Sequence, residues 1–434
     1  MQSVIYIVKS NSGNDDLARS SYIPPLGVMS IANVLRAHGY NVEVIDFSVR
    51  KVDTNELCEM IECLNPLYIA FSVYTENVDS FMTMAKFFKH KYRNIPILFG
   101  GPHATVDTKY CLKKRYVDFI MVGDGEQSSL ELVEAVRTKQ KLIRYEDISG
   151  LIYLDIDKTF KYGKEAKHIK DLDLAPIINR DFIPQSYEAP MPTLFSSRGC
   201  PGRCIYCAAV TMSGGKYRVR DIENVFLESL FLLDKSGRTK QIFYIDDTFT
   251  VVYRRVKRFI ELCDACSLKF AWRCESRVDA MIRSLDLLEG LQRSGCKRIQ
   301  YGIESGNQEV LQKIQKQLNL KDAEVVIGKT IESGIRVATS FMFGHYCDTE
   351  ETMEDTLSFM EMLKKKYTNN IDIAFGLNTP FPGTYQYEHM GELGMELCVD
   401  SYAQLDMLGA VVKTKNFDLD LQRVFYAKAT KLLV

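Results

Sequence analysis

The sequence predicts an α/β chain in two parts. A doubly wound domain on a parallel sheet comes first, followed by a partial barrel of six strand–helix steps and a small C-terminal segment. Three observations lead there. At 434 residues the chain exceeds what one hydrophobic core usually organises. Short β-branched and aromatic runs alternate with amphipathic stretches along most of its length. A break over residues 146–192, marked by Pro176, Pro184, Pro190 and Pro192, divides that alternation into two series.

The first series, residues 1–145, reads as strands at 4–8, 42–45, 67–72, 95–99 and 117–122. Helical spacing fills 26–38, 54–64, 77–92 and 129–139, and the first helix stops at Gly39, a residue suited to a helix C-terminus. Strands separated by helices must run parallel, so glycine-rich turns after them gather at one sheet edge. Gly100-Gly101-Pro102-His103 and Gly123-Asp124-Gly125-Glu126 are two such turns. That edge is where open α/β sheets bind ligands. The break contains a hairpin signal, 151–154 with 160–162, and is otherwise read as a linker.

The second series, residues 193–384, predicts strands at 193–196, 241–245, 270–274, 298–303, 336–343 and 371–375. Helices are expected at 224–235, 253–266, 281–294, 307–314, 321–334 and 349–364. Six steps fall short of the eight of a closed barrel. Residues 385–434 form a small mixed segment.

Composition narrows the function. Hydrophobic content of 46% and charged content of 26% are ordinary for a soluble globular protein, and the net charge is −1. No basic stripe suggests a nucleic-acid partner, and no apolar run approaches the ~18 residues of a membrane span. Twelve cysteines in so long a chain do not read as a disulfide framework. Reduced thiols and a cytoplasmic location are the expectation.

Three of the cysteines are clustered. Cys200, Cys204 and Cys207 form C-x3-C-x2-C directly after a predicted strand. Thiolates are soft ligands for iron–sulfur clusters, zinc or Cu(I). Structural zinc usually takes four protein ligands, and no second cysteine pair lies nearby. Three thiolates on a four-iron cube leave one iron open to an outside ligand.

The spacing, with aromatic Tyr206 before the last cysteine, resembles the radical SAM superfamily. The resemblance implies that the open iron chelates S-adenosylmethionine (SAM), which is cleaved reductively to a 5′-deoxyadenosyl radical. Further strand ends fit it. Asp246 and Asp247 end the second strand of the barrel, where relatives hold the SAM amino group. Arg277 is expected to pair with the SAM carboxylate, a charge-assisted bond. Gly302, Glu304 and Ser305 lie in a motif that approaches the adenosine, with Glu304 accepting from a ribose hydroxyl. Tyr346 and Cys347 stand where relatives carry a proline-containing turn. At the expected mouth of the barrel, Cys347 could return a hydrogen atom to a substrate radical.

The first domain resembles the Rossmann-like cobalamin-binding domain found ahead of many radical SAM barrels of TIM-like fold. Ser72, Gly101, His103, Gly123 and Gly125 are the positions implied to line the corrin. The signature that supplies an axial histidine in many cobalamin proteins is absent; Asn14-Asp15-Asp16-Leu17 stands there. The family then implies a 4Fe–4S cluster, SAM and cobalamin as cofactors. It implies cobalamin-dependent C-methylation of an unactivated carbon in a small molecule or natural-product intermediate. A reductant such as flavodoxin or ferredoxin would feed the cluster. Two alternatives stay open: a radical dehydratase, epimerase or rearrangement enzyme that does not use cobalamin, and an iron–sulfur redox sensor.

Overall fold

The computed structural model describes residues 2–9, 23–113, 115–174, 177–181, 192–235, 241–266 and 270–433. Asn14-Asp15-Asp16-Leu17 and the prolines at 176, 184 and 190 lie outside the described residues. The chain divides into two compact units, Met1–Pro190 and Met191–Val434.

In the first unit, strands β1 (Ser3–Val8), β2 (Asn41–Asp46), β3 (Ile69–Ser72), β4 (Ile97–Gly100) and β5 (Phe119–Met121) alternate with helices α1 (Leu26–Ala37), α2 (Thr54–Leu64), α3 (Val78–Lys91) and α4 (Glu126–Arg137). The sheet order is β2-β1-β3-β4-β5-β6-β7. The first five strands are parallel. Every residue of β1 is buried, as expected of a central strand covered on both faces. α2 starts where Asp53 accepts from the amides of Asn55 and Glu56 at 2.8 and 2.9 Å, and stops at Asn65 in a left-handed conformation. The expected hairpin is β6 (Leu151–Leu154) with β7 (Phe160–Tyr162). It extends the sheet, because β6 pairs antiparallel with β5, so the segment read as a linker begins as sheet edge.

The second unit is built on six parallel strands in the order β15-β14-β13-β12-β11-β8. They are β8 (Thr193–Leu194), β11 (Gln241–Tyr244), β12 (Ala271–Ser276), β13 (Cys296–Glu304), β14 (Arg336–Phe343) and β15 (Ile371–Leu377). A short ladder of β9 (Ser197–Arg198) with β10 (Arg218–Val219) flanks the cysteine loop. Helices α5 (Ile222–Lys235), α6 (Tyr253–Ala265), α7 (Leu320–Glu332) and α8 (Glu350–Tyr367) follow strands, and α9 (Leu419–Leu433) closes the chain.

Alternation decides which faces fill the core. Trp272, Cys274, Ile299, Tyr301, Val337 and Phe341 are buried against helices, while their neighbours Arg273, Gln300 and Ser340 are only partly covered. Tyr244, Phe249, Phe259 and Trp272 form one aromatic cluster, with Phe259 edge-on to Trp272 at 5.5 Å and to Tyr244 at 5.7 Å. That cluster fixes α6 on β11 and β12. Among the described residues no helix is long and apolar enough to cross a membrane.

Candidate functional site

The cysteine loop leaves β9 through Gly199, whose φ is +87°. A Cβ there would lie 2.2 Å from the Lys216 carbonyl oxygen and 2.7 Å from Ser213 Cβ, so only glycine fits. Cys200 follows half-buried, Cys204 buried and Cys207 exposed. Backbone amides already point at two of the sulfurs: Gly202 N–H lies 3.4 Å from Cys200 Sγ and Ala209 N–H 3.4 Å from Cys207 Sγ. Burial pushes the Cys207 thiol up to about 11, and the Ala209 amide opposes that rise.

Gly202 has a second purpose. A Cβ on it would come 2.2 Å from Arg277 Nη1, so the glycine admits the guanidinium against Cys200, at Nη1–Sγ 3.8 Å. The outgoing limb is tied down by Ile205 N–H to the Ile314 carbonyl at 3.1 Å. Gln386 N–H to the Ile205 carbonyl at 3.0 Å and Thr211 Oγ1 to the Gly383 carbonyl at 2.6 Å complete the tether. Among the described residues no three His, Cys, Asp or Glu side chains converge closely enough for a single metal ion. A four-iron cube needs thiols spread around it, and three soft donors on one loop with amides behind them suit a cube.

The two aspartates divide the work. Asp246 is buried, accepting from Ser196 N–H at 2.5 Å, from Ser197 Oγ at 2.7 Å and from the Ser196 hydroxyl. Burial raises its pKa while Arg255 and the serine donors lower it. Both oxygens are used inside the protein, so the expected contact with SAM is not open to it; it holds the segment before Cys200. Asp247 is exposed and accepts the Gly199 amide.

Arg277 is nearly buried and forked onto Asp279 at 2.8 and 3.0 Å. Its charge therefore stands between Asp279 and Cys200. Gly302 and Glu304 flank an irregularity in the β13–β14 register, and Glu304 has φ +72°, unusual for a side-chain-bearing residue. Glu304 is paired with largely covered Lys316 at 3.0 Å. The Glu304 charge, offsetting burial, raises the Lys316 pKa. Ser305 faces inward, near Thr356 Oγ1 at 3.2 Å and accepting from Asn307 N–H at 3.1 Å. It braces β13 against α8.

The loop after β14 meets the cysteine loop through His345, whose ring centroid lies 5.5 Å from that of Tyr206. His345 is fully buried with Nε2 lacking a hydrogen-bond partner among the described residues, and burial pushes its pKa down to about 3. Asp348 fastens this loop by accepting from Gly344 and His345 amides at 3.0 and 2.8 Å and from Thr352 Oγ1 at 2.9 Å. Cys347 is half-buried, and burial, then the Asp348 charge, push its thiol up to about 12. It keeps its hydrogen at neutral pH. Tyr346 reaches the Lys313 carbonyl only at 3.5 Å. Lys316 and His345 were missed from sequence: each acts through a partner distant along the chain.

In the first unit the strand order reverses direction between β1 and β3, the place where such sheets open a crevice. Ser72 and Gly101 lie beside it on β3 and after β4. Gly101, at φ +90°, is demanded by its own chain, since a Cβ would sit 2.8 Å from Ser72 Oγ and 3.0 Å from Val73 N. Gly123, at φ +83°, is more open, with only Ala166 Cβ at 3.7 Å, and Gly27 has nothing within 4 Å. These bare positions leave room for a flat ligand at the edge. Gly125 instead lets α1 approach, because its Cβ would meet Ile31 Cδ1 at 2.7 Å. His103 departs most from expectation. Its side chain is fully buried, Nδ1 lies 3.1 Å from Thr75 Oγ1, and burial pulls its pKa down to about 4. It stays neutral at pH 7.

Comparison with known proteins agrees with this division. The B12 binding domain profile matches residues 17–133 and the Radical SAM superfamily profile residues 194–360. An uncharacterized methyltransferase of Pyrococcus horikoshii is 26% identical over 403 residues, covering 91% of this chain and 84% of that protein. An anaerobic magnesium-protoporphyrin IX monomethyl ester cyclase of Rubrivivax gelatinosus is 26% identical over 382 residues; the match spans 85% of this chain and 66% of the cyclase. The fold is that of TsrM from Kitasatospora setae, a radical S-adenosylmethionine methyltransferase solved with cobalamin and a [4Fe-4S] cluster. Its TM-score is 0.77 at 16% identity, covering all of this chain and 89% of that one.

Fold and site together define an α/β enzyme with an iron–sulfur barrel and a second, B12-binding domain. The chain belongs to the radical SAM superfamily, in the branch that carries an N-terminal cobalamin-binding domain. Its cofactors are a 4Fe–4S cluster, SAM and cobalamin.

Proposed function

We propose that this enzyme transfers a methyl group to an unactivated carbon of a small molecule or natural-product intermediate, with residues 193–384 as its catalytic barrel. The observation that carries the reading is the pairing of a B12 binding domain with a Radical SAM domain on one chain. The name of the Pyrococcus relative supports it. Bound to the chain, cluster and SAM supply a 5′-deoxyadenosyl radical and cobalamin supplies the methyl group.

The chain's own residues do the rest. Cys200, Cys204 and Cys207 would hold the cluster, leaving one iron without a protein ligand. Arg277 places positive charge beside Cys200, where it can meet an incoming carboxylate. Asp247 is the carboxylate left to meet the SAM amino group, and Gly302 and Glu304 border the adenosine. Ser72, Gly101 and Gly123 border the corrin. A flavodoxin- or ferredoxin-type reductant fits the electron demand.

The cyclase relative favours keeping a second reading, radical chemistry without methyl transfer, in which Cys347 returns the hydrogen. Anaerobic reconstitution with iron, sulfide and hydroxocobalamin, followed by gel filtration and SAM turnover under reduction, separates the two. Methyl transfer predicts retained corrin, near one per chain, with 5′-deoxyadenosine among the products. A protein that forms 5′-deoxyadenosine but never retains corrin is not a cobalamin-dependent methyltransferase.

A further inference from the structure

Behind the cysteine loop lies a charge lattice that the chemistry above does not use. Arg220 and Arg255 are each 7% exposed, Asp246 2% and Glu228 1%. Arg220 pairs with Glu228 at 2.7 Å and donates to the Phe195 carbonyl at 3.2 Å. Arg255 donates to the Ser196 carbonyl at 2.8 Å and to the Arg220 carbonyl at 3.3 Å. Asp246 takes the Ser196 amide, and Asp247 the Gly199 amide. Phe195, Ser196 and Gly199, on the path into Cys200, are thus held by Arg220 ahead of α5, by α6 and by the end of β11.

Two cations and two carboxylates balance, yet burying four charges is a poor way to gain stability. Apolar side chains of similar volume commonly do as well or better. What charged groups add is direction: Arg220 aims at the Phe195 carbonyl, Arg255 at the Ser196 carbonyl and Asp246 at the Ser196 amide. We propose that Arg255, with the Arg220–Glu228 pair and Asp246, is a positioning device for the cluster. It sets the path of residues 195–199 so that the three thiols are presented in the spacing a cube requires. This rests on the cysteine ligand assignment and not on methyl transfer.

The test compares wild type with Arg255→Met, Arg255→Lys and Ser197→Ala, each loaded anaerobically with iron and sulfide. The readouts are the rate of iron release to a ferrous chelator, the EPR spectrum of the reduced cluster, and the melting temperature of the metal-free chain. Arg255→Met should release iron roughly tenfold faster, the scale typical of lost outer-shell partners. Its EPR signal should broaden, and its metal-free chain should melt lower because enclosed Asp246 loses a neighbouring cation. Arg255→Lys, which keeps a charge and a donor, should recover most of the retention. Ser197→Ala removes only one hydroxyl from Asp246 and should give a smaller acceleration without loss of fold. Wild-type release in both Arg255→Met and Ser197→Ala would overturn the proposal. So would faster release in Arg255→Met that follows a fall in metal-free melting and is not relieved by lysine. If Arg255→Met does not fold, Ser197→Ala decides by the same two results.

Discussion

At position 246 a carboxylate is enclosed with an amide and two hydroxyls upon it, while at 247 the next carboxylate faces outward on a single amide. Strand alternation produces that split, and nothing in the pair Asp246-Asp247 as a motif distinguishes them. The cysteine spacing was readable because ligand chemistry is local. The Glu304–Lys316 pair was not, since its members are twelve positions apart across a short helix. Cys204→Ala should abolish the visible absorbance of the reconstituted cluster, and full retention would refute the ligand assignment. Lys316→Met should destabilise the second unit by about 3–5 kcal/mol in urea unfolding, because Glu304 is left charged and enclosed. His103 gives a pH prediction. Its folded pKa, about 4, lies below the ordinary value of 6.5, so the unfolded chain binds the extra proton. Stability from this group is complete above pH 6.5 and is lost as pH falls toward 4. Between pH 7.5 and 4.5 the wild type should lose about 2–3 kcal/mol more than His103→Gln in urea unfolding.

Elements were legible where a buried stripe was long. The sequence places α1, α2, α3 and β14 to within one or two residues, because apolar periodicity alone sets them. It places α4 three residues late. That helix begins at Glu126, whose carboxylate accepts the Ser30 hydroxyl at 2.9 Å, and a helix start fixed by a partner on α1 leaves no local mark. The helix expected at 281–294 is instead a short turn at Val278–Met281, a 3-10 turn at Leu285–Leu287 and a helix at Leu288–Arg293. The Ser284 hydroxyl there donates to the Ala280 carbonyl rather than leaving the backbone a continuous ladder. α6 shows what holds an element once placed. Phe259→Ala should cost about 3–5 kcal/mol in urea unfolding, because Tyr244, Phe249 and Trp272 all lose the same ring. A loss below 1 kcal/mol would show that the cluster does not anchor the helix.

Among the described residues each unit has a hydrophobic core of its own. Calorimetry should resolve two unfolding transitions. Hydroxocobalamin should raise the one belonging to the first unit, by about 2.7 kcal/mol at a hundredfold excess over its dissociation constant. SAM added to the cluster-loaded protein should raise the other. A single transition shifted equally by both ligands would contradict independent cores. The domain order was legible because each half repeats its pattern of strands and helices; the extension of the first sheet by β6 and β7 was not, since antiparallel pairing to β5 depends on folding across the break. Gly199 extends the same reasoning to inheritance. Every single-base change that alters a glycine codon's meaning without stopping translation adds a Cβ, and at this residue a Cβ would overlap the Lys216 carbonyl. The gene therefore has no neutral one-step exit at that codon. A lineage could lose this loop's shape abruptly, but it could not drift away from it by degrees.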